Sequence, residues 1–130
     1  MAFGASRRAN PGFTFDECQT VLVRNVNLYH CGGMGFIVQK VRDIELNNVQ
    51  VVPTPGSDRI ISATADATHF INCGGYLRMI DCKFTNQKDD ATNIHGWYAM
   101  TREIVGKDKI LVWYNYGKDF VRPGMNMEIA

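Results

Sequence analysis

Three stretches of this sequence share one spacing of apolar residues. They read VLVRNVNL at 21–28, IELNNVQV at 44–51 and LRMIDCKF at 77–84. In each stretch, apolar side chains stand at the first, third, sixth and eighth positions, and mostly polar side chains separate them. Alternation over pairs of such short segments is typical of β-strands, and the β-branched residues of the first two copies also favour strands. The spacing therefore predicts an all-β protein built from a repeated pair of strands.

The distance between the copies predicts how they assemble. The second copy follows the first by 23 residues, and the third follows the second by 33. The additional ten residues correspond to PTPGSDRIIS at 53–62, whose prolines and glycine indicate a surface loop. A unit of about 23 residues that buries one face of every strand against the next copy is typical of a parallel β-solenoid. An ordinary antiparallel β-fold whose strands happen to share a spacing is the alternative.

One polar position of the repeat supports the solenoid. Asn48 lies in the break between the two strands of the second copy. Asparagine ladders often stack at the corners of parallel β-helices, because each amide can donate to the next. We therefore expect Asn48 to take part in such a ladder.

The sequence changes character near residue 97. Between 101 and 120 it reads TREIVGKDKILVWYNYGKDF, in which a Gly-Lys-Asp-Lys turn separates two predicted strands, the second at 110–114. We therefore expect solenoid rungs over 1–96 and the start of a β-rich, barrel-like module over 97–130. Solenoid ends expose unpaired strand edges, so self-association through those ends is a further expectation.

Composition argues against several classes of function. Fourteen basic and thirteen acidic residues give a net charge of +1. These charges are interspersed, so neither a nucleic acid nor an anionic membrane is an expected partner. No apolar run approaches the length of a membrane span, and residues 1–12 lack the apolar segment of a signal peptide. The cysteines form no metal-binding pair, and buried free thiols are favoured over a disulfide: Cys18, Cys31, Cys73 and Cys82.

Three aspartates are predicted to meet in the stack. Positions 23 or 24 apart lie nearly above one another there, at the strand separation of about 4.8 Å. Asp66 precedes Asp89 by 23 residues and Asp90 by 24, and the phrases DATH at 66–69 and DATN at 90–93 repeat one rung apart. Carboxylates this close must be solvated, paired with cations or partly protonated, as in many active sites. A solvated charged face is one alternative. A calcium site is another, although the alternating carboxylates of dedicated calcium loops are absent.

Side chains near these aspartates are candidates for binding a substrate. Asn93 and His95 alternate along one predicted strand and so share a face, and His69 follows Asp66 by three residues. Trp97 and the adjacent Tyr98 could stack on a sugar ring. The aromatic residues of the predicted hairpin are more typical of cross-strand packing. The candidate substrate-binding residues are His69, Asn93, His95 and Trp97.

Three longer stretches resemble a known family. LYHCGGMGF at 28–36, ATADATHFINCGG at 63–75 and DCKFTNQKDDATNIHG at 81–96 look like glycoside hydrolase family 110. Its members are inverting exo-α-galactosidases that act on terminal α-1,3-linked galactose, including the blood-group B sugar. The resemblance runs from about Phe13 to Gly96, and DDATNIHG following an upstream DA phrase is its specific part. It implies a right-handed parallel β-helix, the pectin-lyase-like solenoid, with β-barrel modules attached.

The resemblance also implies roles for the candidate residues. Asp66, Asp89 and Asp90 would be the acid and base carboxylates, while Asn93 and His95 would shape the galactose site. We take Asp66 as the acid and either Asp89 or Asp90 as the base, with the other orienting it. The sequence leaves the order of these roles open.

The expected substrate is a galactose-terminated glycan, without a cofactor or metal ion. A periplasmic or extracellular location is implied by the resemblance alone. Family members are several times longer than this chain, so it is expected to be part of a larger protein and to be inactive alone. The alternatives are a calcium-dependent polysaccharide lyase and a non-catalytic carbohydrate-binding β-helix.

Overall fold

The computed structural model describes residues 10–114, 121 and 123–128. Within these residues the protein has ten β-strands and no helix, so the all-β prediction is confirmed. None of the described residues forms a helix long and apolar enough to cross a membrane. The chain divides into two compact units, residues 1–95 and 96–130. Residues 1–9 and 115–120 lie outside the described residues. The expectation that no signal peptide is present falls largely on the first range, and part of the predicted barrel-like module falls on the second.

The first unit consists of two parallel sheets. Its strands are β1 (Phe13–Asp16), β2 (Thr20–Leu28), β3 (Phe36–Gln39), β4 (Asp43–Val51), β5 (Thr68–Ile71), β6 (Leu77–Ile80), β7 (Lys83–Phe84) and β8 (Thr92–His95). One sheet has the order β1-β3-β5-β8, and the other has the order β2-β4-β6, with β7 also paired to β4. The chain thus alternates between the sheets, and we call each successive pass, such as β1–β2 or β3–β4, a rung.

The strand register follows the apolar repeat residue by residue. Val21 pairs with Ile44, and Ile44 in turn pairs with Leu77. Leu28 pairs with Val51, and Val51 pairs with Phe84. All of these pairs are parallel, so the antiparallel alternative was wrong for the first unit.

The repeated apolar positions form the core between the two sheets. Phe36, Val38 and Phe70 from the first sheet and Ile44 and Leu46 from the second are fully buried. Burying a side chain of this size contributes roughly 1.5–3 kcal/mol relative to leaving it exposed. The alternation predicted from sequence therefore sets which face of each strand points inward.

A second set of positions lies within β2 and β4 and, on the next rung, between β6 and β7. Asn25, Asn48 and Asp81 all have positive φ, at 55°, 51° and 52°, and they occupy equivalent places on successive rungs. Asn48 donates from Nδ2 to Asn25 Oδ1 at 2.8 Å, across 23 residues of sequence. The predicted asparagine ladder is confirmed, and we call this stack the amide corner. Asparagine suits it because it tolerates left-handed backbone better than most residues do.

The insertion between the second and third rungs interrupts the stack only locally. Val52 N–H donates to the Leu28 carbonyl, and pairing resumes where the Cys31 N–H donates to the Ser62 carbonyl, both near 3.0 Å. Residues 55–60 between these points are exposed. The segment 53–62 is therefore mostly a surface loop, as predicted, with its last residue already part of the stack.

The cysteines are free thiols that contact the core. Cys31 is buried, and Cys18, Cys73 and Cys82 are partly buried against the apolar cluster. Burial raises the pKa of the Cys31 and Cys73 thiols. These two thiols therefore stay neutral and pack as small apolar groups, which makes them poor nucleophiles.

The second unit contains one antiparallel hairpin among its described residues. β9 (Met100–Gly106) and β10 (Lys109–Trp113) pair across the predicted turn, with register shifts at two points. Arg102 lies over the Trp113 ring, with 5.2 Å between the guanidinium carbon and the ring centroid. That contact agrees with the cross-strand packing expected for the hairpin aromatics.

Candidate functional site

Asp66 is the buried acid of the site. It stands two residues before the first residue of β5 and lies between Ala65 and Ala67, which are both fully buried. Only 3 % of Asp66 is exposed. The small neighbours let the backbone run close to the adjacent rung, where the Gly35 N–H donates to the Asp66 carbonyl at 2.9 Å. The side chain is thereby fixed at the edge of the core.

The next rung places Asp90 in register with Asp66. Thr68 pairs with Thr92, and the Ala67 N–H donates to the Asp90 carbonyl at 2.9 Å. The two DAT phrases therefore lie side by side, as predicted, with an offset of 24 residues. The sequence allowed either Asp89 or Asp90 to stack on Asp66, and the structure selects Asp90.

The three predicted carboxylates lie together. One oxygen from each of Asp66, Asp89 and Asp90 comes within 4.8 Å of the other two. Asp89 and Asp90 are exposed, whereas Asp66 is buried. We call this group the acid corner. Like charges at this distance repel, so the group must hold protons, water or a cation.

The acid corner is the place among the described residues where three acidic ligands could reach one cation. Acidic groups on a surface often cluster without a metal ion, so the cluster alone does not establish a metal site. Asp66 also already uses one oxygen to bind a neighbouring histidine.

Two histidines extend from the buried acid to the surface. His69 Nδ1 hydrogen-bonds Asp66 Oδ2, and His69 Nε2 lies 3.0 Å from His95 Nε2. The imidazole rings meet edge to face, with an interplanar angle of 88°. The side chain of Asp66 is 4 % exposed, that of His69 is 12 % exposed, and His95 is exposed. Asp66, His69 and His95 therefore form one hydrogen-bonded line, which we call the histidine line.

Pairing between β5 and β8 explains how the histidines meet. His69 pairs with Asn93, and Ile71 pairs with His95. Asn93 and His95 thus lie on the outward face of β8 next to His69, on the face opposite Phe70. The structure brings together six of the seven predicted site residues: Asp66, His69, Asp89, Asp90, Asn93 and His95.

Trp97 is the seventh predicted residue, and it belongs to the second unit. It is partly buried, while the adjacent Tyr98 is 86 % exposed. Its part in binding a substrate stays a prediction.

The histidine line was the feature that the sequence analysis missed. The sequence placed His69 near Asp66 but did not indicate that its ring bonds the carboxylate on one side and His95 on the other. The available signal was positional: His69 and His95 are both outward residues on neighbouring strands, 26 residues apart. Two imidazoles so placed can reach each other across the sheet.

The arrangement has the elements of acid–base chemistry. A buried carboxyl group and two exposed carboxylates lie just before β5 and β8, and two imidazoles lie on those parallel strands. Pairs of acids in different environments can divide the roles of proton donor and proton acceptor. The fold and site together define a protein of stacked parallel strands with a carboxylate centre suited to that chemistry.

Comparisons with known proteins agree with this description. The chain is 41% identical over 128 residues to an alpha-1,3-galactosidase A from Shewanella woodyi, covering 95% of this chain and 21% of that protein. It is 30% identical over 105 residues to an alpha-1,3-galactosidase B from Bacteroides thetaiotaomicron, covering 81% of this chain and 17% of that protein. An alpha-1,3-galactosidase A from Akkermansia muciniphila is 30% identical over 88% of this chain and 19% of its own length. No family model matches the chain.

These matches confirm the resemblance found in the sequence. The chain corresponds to a segment of the alpha-1,3-galactosidases of glycoside hydrolase family 110. It spans about a fifth of the length of the curated relatives that it matches.

Proposed function

We propose that this chain carries the catalytic carboxylates of an exo-α-galactosidase that removes terminal α-1,3-linked galactose from glycans. The observation that carries the proposal is the acid corner, where adjacent rungs bring Asp66, Asp89 and Asp90 together. The names of the relatives supply the substrate class, since each is an alpha-1,3-galactosidase. No cofactor enters the proposed reaction.

The proposed fold is a section of right-handed parallel β-helix. Three parallel steps of β1, β3, β5 and β8, alongside the stack of β2, β4 and β6, support it. Parallel strands joined through a crossover favour the right-handed connection. The second unit, in this proposal, begins a β-barrel-like module.

In the proposed mechanism, Asp66 is the general acid. It gives its proton to the glycosidic oxygen as the bond to the sugar breaks, and its burial keeps that proton from bulk water. Asp90 or Asp89 takes a proton from the attacking water on the opposite face of the sugar. The exposure of both is consistent with access of water to the base.

Inversion sets a distance condition on this pair. Inverting glycosidases hold their two carboxyl groups roughly 6.5–9.5 Å apart to admit the water. The nearest oxygens in the acid corner lie within 4.8 Å of one another. The proposal therefore requires the exposed aspartate that acts as base to turn away from Asp66 when substrate binds.

Proton NMR with an α-1,3-linked galactose disaccharide tests the proposal. The spectrum reports turnover and the anomer released first, and inversion predicts β-galactose. The assay uses this chain and, alongside it, a longer form of the protein that contains it. Asp89→Asn and Asp90→Asn are expected to abolish turnover, because they remove the base or the carboxylate that orients it. Asp81→Asn, at the amide corner, is the matched control and should keep turnover.

The other outcomes identify the alternatives. Loss of activity with a chelator, together with an unsaturated product that absorbs ultraviolet light, would indicate the calcium-dependent polysaccharide lyase. Glycan binding that is unchanged by the aspartate substitutions, with no product, would indicate the carbohydrate-binding β-helix. First release of α-galactose would retain the galactosidase but exclude inversion.

Two further proposals follow from the resemblance and the strand edges. A periplasmic or extracellular location fits an enzyme that meets glycans, and cell fractionation tests it. Self-association through the outer edges of β1 and β8 is tested by light scattering over a range of concentrations. A monodisperse monomer at every concentration would exclude it.

A further inference from the structure

The acid in an inverting glycosidase has to recover a proton after every turnover. The acid gives one proton to the leaving oxygen, and the base gains one from water. The enzyme returns to its starting state only when the base loses that proton and the acid regains one. For a carboxyl group exposed to water, this exchange needs no further machinery.

Asp66 lacks that direct access, because its side chain is 4 % exposed. Its hydrogen-bonded neighbour His69 is 12 % exposed, and the next group, His95, is exposed. Exposure thus rises at each step along the histidine line, away from Asp66. Histidine is the side chain whose protonation changes most readily near neutral pH, and both ring nitrogens can take part in transfer.

The contact between the two imidazoles couples their tautomers. His69 Nε2 and His95 Nε2 face each other at 3.0 Å, so one of them must donate and the other accept. When His69 donates from Nδ1 to a charged Asp66, its Nε2 accepts a hydrogen bond from His95 Nε2. When a protonated Asp66 donates to His69 Nδ1, His69 Nε2 donates to His95 instead. A change of proton position at Asp66 therefore reverses both hydrogen bonds.

From this geometry we infer that His69 and His95 are positioning residues that return a proton from solvent to Asp66 after each turnover. The inference rests on the proposed function of Asp66 as the general acid. It assigns the two histidines a role beyond contact with the sugar.

The return step moves one proton inward along the histidine line. His95 takes a proton from water or buffer on Nδ1 and passes its Nε2 proton to His69 Nε2. His69 then releases its Nδ1 proton to Asp66 Oδ2, so one N–H bond breaks on each ring as another forms. The carboxyl group turns about its Cβ–Cγ bond to present the proton to the next substrate. The base loses one proton to water, and each imidazole then exchanges a proton with water to regain its starting tautomer, so the net charge is unchanged.

Among the described residues, His69 is the group that connects Asp66 to the exposed His95 by hydrogen bonds. Asp89 and Asp90 each place one carboxylate oxygen within 4.8 Å of Asp66, and in the proposed cycle the aspartate that acts as base releases its proton to water. In the sheet, His69 is flanked by Ile37 on β3 and by Asn93 on β8, neither of which carries a titratable group.

Long-range proton–nitrogen NMR of the labelled chain tests the coupled tautomers without requiring activity. The chain has three histidines, so His30, which lies outside the line, serves as the internal reference. In the unmodified chain His69 and His95 should show interdependent tautomers. Asp66→Asn should change the nitrogen signals of both His69 and His95 and leave those of His30 in place. A change confined to His69 would overturn the inference.

Kinetics test the proton return itself. His95→Gln keeps a hydrogen-bonding group but cannot carry a proton between its two ends. We expect it to lower kcat severalfold with little effect on kcat/KM, because reset follows the chemical step. Added imidazole buffer should restore kcat by protonating the line directly. His30→Gln is the matched control and should behave like the unmodified protein.

The possible failures are distinguishable. A higher KM with unchanged kcat, and no effect of imidazole, would show that His95 only binds sugar, and the proton-return role would be lost while the galactosidase stands. Absence of galactoside turnover in both the chain and a longer form containing it would overturn the proposed function and proton return together. The NMR experiment would then report on the hydrogen-bonded line alone.

Discussion

The amide corner and the acid corner both stack polar side chains of successive rungs. The amides hydrogen-bond one another, whereas the ionised carboxylates have no proton to donate to one another. At the amide corner, Asn48 donates to Asn25 at 2.8 Å, and each amide has both a donor and an acceptor to offer. At the acid corner, carboxylates meet within 4.8 Å, and ionised carboxylates can only accept. The parallel stack therefore places equivalent residues of successive rungs side by side, and their chemistry decides whether the contact stabilises the fold.

This difference separates structural from functional use of the same geometry. The Asn25–Asn48 hydrogen bond joins two neighbouring rungs through side chains of the chain itself. The acid corner needs protons, water or a ligand from outside, and a histidine already bonds its buried member. We expect substitutions at the amide corner to change stability more than activity, and substitutions at the acid corner to change activity more than stability.

The largest expected effect is on activity at the acid corner. Asp66→Asn removes the proton donor and should lower galactoside turnover by a factor of about 10²–10⁴. The free energy of unfolding should change little, because an amide has nearly the shape of a carboxyl group and its oxygen can still accept a hydrogen bond from His69. NMR assays give turnover, and urea denaturation gives stability.

Asp81→Asn is the control for that substitution, since it changes a carboxylate at the amide corner. It should preserve turnover. Comparable losses of activity in the two variants would mean that the acid corner has no special role.

A second prediction concerns the close approach of rungs beneath Asp66. A Cβ on Gly35 would clash with the Ala67 carbonyl, a backbone atom of the rung that carries the acid. Gly35→Ala should therefore lower the free energy of unfolding by about 1–3 kcal/mol, the usual cost of overpacking. Urea denaturation measures it, with Gly74→Ala as the control because a Cβ there meets nothing within 4 Å. Equal stability of the two variants would contradict the tight stacking.

The third prediction concerns a substitution that makes the amide corner resemble the acid corner. Asn48→Asp would place a carboxylate between Asn25 and Asp81, at the equivalent position of the next rung. Like charges on neighbouring strands should destabilise the protein by roughly 0.2–1 kcal/mol relative to the unmodified chain near neutral pH. The loss should shrink in acid, where the new carboxyl group is protonated. A loss independent of pH would show that repulsion is not its cause.

The smallest expected effect lies on the outer face of the second sheet. The Asn47 amide and then the Arg24 and Arg78 guanidinium groups lower the pKa of Glu45. A lowered folded-state pKa gives stability that is present above the ordinary carboxyl pKa and is lost as pH falls through the folded value.

Glu45→Gln should therefore lower stability slightly near neutral pH, and the difference should vanish in acid. High salt should also reduce it, because the surrounding charges are partly solvated. Thermal unfolding across pH measures the effect, and Glu103→Gln, on the exposed hairpin, is the control. A difference that grows as the pH falls would contradict the sign.

Much of the first unit could be predicted from sequence, because parallel stacking repeats itself in the residue pattern. The apolar positions gave the register of β2, β4 and β6, and the DAT phrases gave that of β5 and β8. Ile94 shows where pattern alone fails. It continues the inward column of Val38 and Phe70, yet it is 60 % exposed, because β8 is the last described strand of its sheet.

The fine geometry of the site was harder to predict. A turn can hold one residue more or fewer without changing the strands, so the choice between Asp89 and Asp90 depended on the path of residues 85–91. The bond from His69 to Asp66 depends on side-chain direction at the start of β5. Periodicity identifies which face a residue occupies, but it does not say which neighbour its ring will meet.

The insertion at 53–62 has a practical consequence for engineering. Strand pairing is the same before and after it, and the extra residues leave and rejoin the stack at neighbouring points. Lengthening a loop of this kind costs little, about 0.6 kcal/mol for each doubling of its length. Peptide tags, fluorophore sites or grafted recognition segments can therefore be introduced at 55–59, ahead of Ile60, whose carbonyl accepts a hydrogen bond from Asn86 Nδ2. This segment gives the protein an attachment point that leaves its repeating architecture undisturbed.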